Sequence, residues 1–168
     1  HRRIENFLRA LILVTEQARG NELDSRQSEA LQTALRYFRE AAPKHTADEE
    51  ESLFPRMREA GQGGAEVLEK INALESDHQA ANIGHDRVEK LGQKWLLVGR
   101  LLPEETAELG ETLHTLQATY ERHIAVEDNE IFPTAAKILN PMTLSKVGRE
   151  MAERRGQDFD ANLRFPKR

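Results

Sequence analysis

The chain has 168 residues with a net charge of −5, 32% charged and 5% aromatic side chains, and no cysteine. One domain of this length can bury a substantial core. Few aromatics favour helices over sheets. The acidic balance argues against a nucleic-acid footprint, and the missing thiols exclude disulfides, thiolate metal sites and cysteine nucleophiles. No apolar run reaches a membrane span and no signal-peptide segment is visible, so a cytoplasmic protein is expected. The chain begins at His1 rather than Met, which leaves open whether residues precede it.

Taken in order, His1 to about Arg19 reads as an amphipathic helix with Ile4, Leu8 and Leu11 on one stripe, which places His1 on its buried face. Gly20 to Asp24 breaks the pattern, and Asp24 with Gln27 reads as a capping box. A second helix is expected from there to about Ala60, its stripe running Leu31, Leu35, Phe38, Ala42, His45, Glu49, Leu53 and Met57. Pro43 and Pro55 should kink or restart it. Gly61-Gln62-Gly63-Gly64 predicts a turn. The third helix, Ala65 to Val98, has Ile71, Leu74, His78, Ala81, His85, Val88 and Trp95 on its seam. Pro103 suits the first turn of the fourth helix, which carries Leu109, Leu113, Leu116, Tyr120, His123, Glu127 and Ile131 and stops before Asn140-Pro141. A short flanking helix over Met142 to Arg155 and a loose polar tail from Gly156 follow. The fold class is therefore all-α, an antiparallel up-down-up-down four-helix bundle over residues 1–140, with 141–168 forming a short extra C-terminal helix and tail.

One stretch occurs twice. His45 to Pro55 reads HTADEEESLFP, and His123 to Pro133 reads HIAVEDNEIFP, 78 residues later. His, Ala, Glu, Phe and Pro match in both copies. Residues four apart lie about 40° from each other on a helix, so His45 reaches the same point as Glu49, and His123 the same point as Glu127. His1 precedes His45 by 44 residues and His78 precedes His123 by 45. Each half thus reads His, then His-x-x-x-Glu. Burying six such groups without compensation costs several kcal/mol per group. A cation would offset that. Six ligands exceed the need of one tetrahedral zinc and suit two ions bridged by the glutamates, each with a position left for a small molecule. Imidazole and carboxylate without thiolate favour iron, with manganese or zinc as alternatives.

At these residues the sequence resembles the hemerythrin-like (HHE cation-binding) family over roughly His1 to Ala136. The resemblance implies a non-haem di-iron centre in a four-helix bundle, with His1, His45, His78 and His123 as terminal ligands and Glu49 and Glu127 as bridges. It also implies a diatomic ligand, oxygen or nitric oxide. The oxygen-carrying members have a second histidine one turn after the third-helix ligand, where this chain has Asn82. They also have an aspartate five residues after the last histidine, here Asp128, beside Glu127. The two-glutamate pattern is similar to the bacterial branch. That family spans oxygen binding, gas and iron sensing, and iron–sulfur cluster repair. A binding or sensing role is favoured. The alternatives are a di-iron oxidoreductase acting on nitric oxide or peroxide, an iron donor for cluster repair, or a helical interaction module with a structural metal. No acid–base pair or nucleotide motif supports a separate catalytic site, and no feature identifies a protein partner.

His85 is expected to line the cavity or support a ligand rather than bind metal. Tyr120 should pack in the core with its hydroxyl satisfied, and His114, on the opposite face from His123, should be exposed. Glu75-x-x-His78 and Glu111-x-x-His114 match a ferritin-like spacing, but His114 points away from the other ligands. Apart from Glu49, the run Asp48 to Glu51 reads as a solvated face. Arg149, Arg154 and Arg155, interspersed with Glu150 and Glu153, identify no partner.

Overall fold

The computed structural model describes residues 1–61 and 64–157. Gln62 and Gly63 of the predicted Gly-rich turn, and the predicted tail from Asp158 onward, lie outside the described residues. Within them the chain is all-helical without strands, consistent with a helical bundle, and no helix is long and apolar enough to cross a membrane. In order come α1 (Arg2–Ala18), α2 (Ser25–Glu40), α3 (Ala42–Ala47), a π-helical segment (Asp48–Leu53) and α4 (Phe54–Ala60). Then follow α5 (Gly64–Val98), α6 (Pro103–Val126), a second π-helical segment (Glu127–Ile131), α7 (Phe132–Ile138) and α8 (Pro141–Arg154).

These elements group into two compact units. The first comprises His1–Pro43 and Leu74–Ala125. Its α1 and α2 pack together through the stripe expected from periodicity: Ile4, Leu8 and Leu11 meet Leu31, Leu35 and Phe38 in one buried cluster. Val88, Leu91 and Trp95 of α5 and Leu109, Leu113 and Leu116 of α6 join it. Each fully buried leucine contributes about 1.5–3 kcal/mol relative to exposure. Trp95, fully buried, donates its indole N–H to the Asn21 carbonyl at 2.8 Å, which satisfies its one polar atom and ties α5 to the α1–α2 turn. The Asp24 capping box is present: Asp24 Oδ1 accepts from the Gln27 amide at 2.8 Å, and Gln27 Oε1 accepts from the Asp24 amide at 3.0 Å.

The second unit comprises Lys44–Ala73 and Val126–Arg168, described through Gln157. Its core holds Leu53, Phe54, Met57, Ile71, Ile131, Ala135, Leu139 and Val147, with α4 packed on α7 and α8 packed on the first π-helical segment. Asn140 caps α8, accepting from the Thr143 amide at 2.9 Å.

The single second helix expected to Ala60 is broken twice. At Pro43 the helix restarts, as expected, with proline in the first turn of α3. At Pro55 it restarts too, as α4 with proline in the first turn, but behind a segment that has widened into a π turn. Proline lacks the N–H that would serve the Glu51 carbonyl, and its ring would collide with that carbonyl in an unbroken α-helix. The wide turn relieves both problems. The same occurs before Pro133.

Candidate metal centre

The second unit supplies a compact donor set. One ligand atom each from His45, Glu49 and Glu127 lies within 4.8 Å of the others. His45 Nε2 stands 3.3 Å from Glu49 Oε1. Glu49 is 2% exposed and Glu127 is fully buried. Two carboxylates this close and this deep repel each other unless positive charge or a shared proton sits between them. An imidazole and two carboxylate oxygens are ordinary ligands for a first-row divalent ion. The donor chemistry fits a cation.

Both glutamates occupy equivalent backbone positions. The Glu49 carbonyl accepts the amide of Phe54, and the Glu127 carbonyl accepts the amide of Phe132. Each candidate ligand thus accepts an i+5 bond in a π-helical segment, as the second residue of the first segment and the first residue of the second. The repeated sequence therefore produces a repeated backbone distortion. Single π turns inside α-helices are uncommon and concentrate at functional sites.

The first unit supplies imidazoles. His78 and His123 are both buried, on the seams of α5 and α6, with their Nε2 atoms 3.1 Å apart and ring centroids 4.6 Å apart. Facing ring nitrogens at that distance can share one proton or direct lone pairs at a common ion. Asp77 Oδ2 lies 3.6 Å from His123 Nδ1, and Arg122 donates to the other Asp77 oxygen at 2.7 Å. The carboxylate favours a proton on Nδ1, which leaves the Nε2 lone pair for a metal. His1, half-buried, precedes the first turn of α1.

His85 stacks on Phe38 with ring centroids 4.4 Å apart, and its Nε2 lies 2.9 Å from the Tyr120 hydroxyl. Tyr120 thus packs inward with its hydroxyl satisfied, as expected. Burial pushes the His85 pKa down to about 4, only partly opposed by Asp86. His114 is exposed and lies 3.8 Å from Glu16.

Two readings of the sequence need correction. Asp48 is not part of a solvated face: it is 3% exposed and paired with Arg154 at 3.1 Å and with Arg155. Arg154 and Arg155 therefore have a specific intramolecular role, although their alternation with glutamates suggested none. Asp77 was also missed, because a residue directly before a seam histidine gives no periodic signal of facing the next helix.

The Hemerythrin HHE cation binding domain family matches residues 1–135 of the chain. The chain is also similar to an uncharacterized protein of Haemophilus influenzae, 25% identical over 160 residues that cover 92% of this chain and 85% of the relative.

Proposed function

The chain belongs to the hemerythrin HHE cation-binding domain family, and we propose that it is a cytoplasmic non-haem di-iron protein that binds or senses a diatomic molecule, oxygen or nitric oxide. In this reading residues 1–140 form an up-down-up-down four-helix bundle and 141–168 its C-terminal helix and tail. His1, His45, His78 and His123 would be the terminal ligands and Glu49 and Glu127 the bridging ones, as in the family pattern. The observation that carries the proposal is the buried cluster of His45, Glu49 and Glu127. In the first unit, the facing imidazoles of His78 and His123 are further candidate donors.

Bound iron would supply a redox-active centre with a coordination position for the gas. The chain does the rest. Neutral imidazoles donate lone pairs without adding charge, and the two carboxylates neutralise part of the cationic charge. The Asp77 carboxylate, 3.6 Å from His123 Nδ1, would favour the ligating tautomer electrostatically. Manganese or zinc could occupy the same donors, so metal identity is part of the test.

Purified protein should contain about two metal ions per chain by elemental analysis, and Glu49→Ala with Glu127→Ala should remove them. Wild type and double variant equally empty would end the proposal. After anaerobic reduction, a reversible optical change under oxygen or nitric oxide is the expected result. Multiple turnovers of nitric oxide or peroxide would make the protein an oxidoreductase instead. Metal loss that unfolds the protein, with no gas-dependent spectrum, would make the metal structural.

A further inference from the structure

The family match ends at residue 135, and α8 lies beyond it. This helix nevertheless carries charges committed to the segment around Glu49. Arg154 Nη1 reaches Asp48 Oδ1 at 3.1 Å, Arg155 takes the other Asp48 oxygen, and Arg154 Nη2 reaches Glu51 at 3.1 Å. Glu150 receives both guanidinium nitrogens of Arg56, at 2.6 and 3.0 Å. Arg56 also donates to the Ser52 carbonyl at 2.6 Å. These contacts grip the chain directly before Glu49 and again two, three and seven residues after it.

A π turn is a rare backbone form, and Pro55 disfavours the α register without fixing how the widened turn is oriented. Something must hold it. Asp48 is buried, so its carboxylate requires its cationic partners, and those partners come from a helix more than a hundred residues away, at a separation of 106 for Arg154. The bidentate Arg56–Glu150 pair fixes orientation as well as distance.

We infer that α8 is a clamp: Arg154 and Arg155, acting through Asp48, are positioning residues that keep the first π-helical segment in register and so keep Glu49 aimed for metal binding. The inference rests on the reading of Glu49 as a ligand.

The test uses the full chain in four forms: wild type, Asp48→Asn, Arg154→Ala with Arg155→Ala, and Arg154→Lys with Arg155→Lys. Three readouts apply: hydrogen exchange of the amides of residues 49–54 without metal, the d–d spectrum after cobalt(II) loading, and the rate of cobalt loss to a chelator. Asp48→Asn and the alanine pair should exchange faster in that segment but not in α1 or α2. Their cobalt bands should shift, and release should accelerate by about tenfold or more. The lysine pair should recover part of the retention. Should the alanine pair fail to fold, the isosteric Asp48→Asn and the lysine pair decide. Cobalt spectra and release identical to wild type in Asp48→Asn would overturn the clamp while leaving Glu49 as a ligand. Faster exchange without any change in cobalt binding would also overturn it. A wild-type chain that takes up no cobalt would remove the ligand reading and the clamp together.

Discussion

The amide of Phe54 donates to the carbonyl of Glu49, five residues back rather than four, and Phe132 stands in the same relation to Glu127. Each bond is followed at once by a proline, Pro55 or Pro133. The backbone thus links a constraint that is plain in the sequence to the placement of two buried carboxylates. Among the described residues, both Phe-Pro pairs follow a widened turn.

Replacing Pro55 by alanine supplies an N–H that the Glu51 carbonyl can accept, and removes the ring that blocks the α register. The segment should then relax toward a regular helix and turn Glu49 away from His45. Metal affinity should fall by about tenfold while helical content is retained. Titration of the metal-free protein with cobalt(II) measures this directly. Equal affinity in Pro55→Ala and wild type would show that the π turn does not depend on proline.

Asp77 gives an independent prediction from the other unit. Its carboxylate approaches His123 Nδ1 at 3.6 Å and is itself held by Arg122 at 2.7 Å. Asp77→Asn keeps the shape but removes the charge that favours the ligating tautomer. Metal affinity should drop about 10–100-fold. Arg122→Ala should have a smaller effect, because it removes only the holder of the carboxylate. Comparable losses in both variants would point to packing rather than tautomer control.

The helices were legible, and the candidate donors conspicuous, because both follow local periodicity. His45 and His123 occupy positions where the stripe demands apolar residues, and the repeat marks them as a set. The π turns were not legible in the same way. Periodicity over eleven residues cannot distinguish one wide turn from a kink, and Pro55 is compatible with either. The burial of Asp48 was invisible because its partners lie 106 and 107 residues downstream. A run of four acids looks solvated until the helix that covers it is placed.

Gly20 tests the packing of the first unit. Its φ is +77°, and an added Cβ would lie 2.2 Å from Thr106 Oγ1 and 3.2 Å from the Leu101 carbonyl oxygen. The Gly20 carbonyl also accepts the Leu101 amide at 2.9 Å, so the turn cannot move freely. Gly20→Ala should destabilise the protein by about 2 kcal/mol in urea unfolding, combining left-handed strain with the clash. Gly61, at φ +63° with open space around it, should cost less on the same change, about 1 kcal/mol. Adding Thr106→Ala to Gly20→Ala should recover only the steric part. Equal costs at Gly20 and Gly61 would remove the clash from the account.

His85 sets an acid limit on stability. Its folded pKa is about 4 against an ordinary 6.5, because burial beside Phe38 and Tyr120 disfavours the imidazolium. The unfolded chain therefore binds this proton first as pH falls. The stabilising contribution is complete above pH 6.5 and is lost progressively as pH drops toward 4, with the unfolded state gaining the advantage. Between pH 7 and 4.5 the loss from this residue should be about 2.5 kcal/mol. His85→Gln retains a partner for the Tyr120 hydroxyl but cannot titrate. Urea unfolding of the metal-free protein at the two pH values should show wild type losing more stability than His85→Gln by about that amount. Parallel losses in the two proteins would mean that the acid limit belongs to the carboxylates and that His85 protonates without penalty.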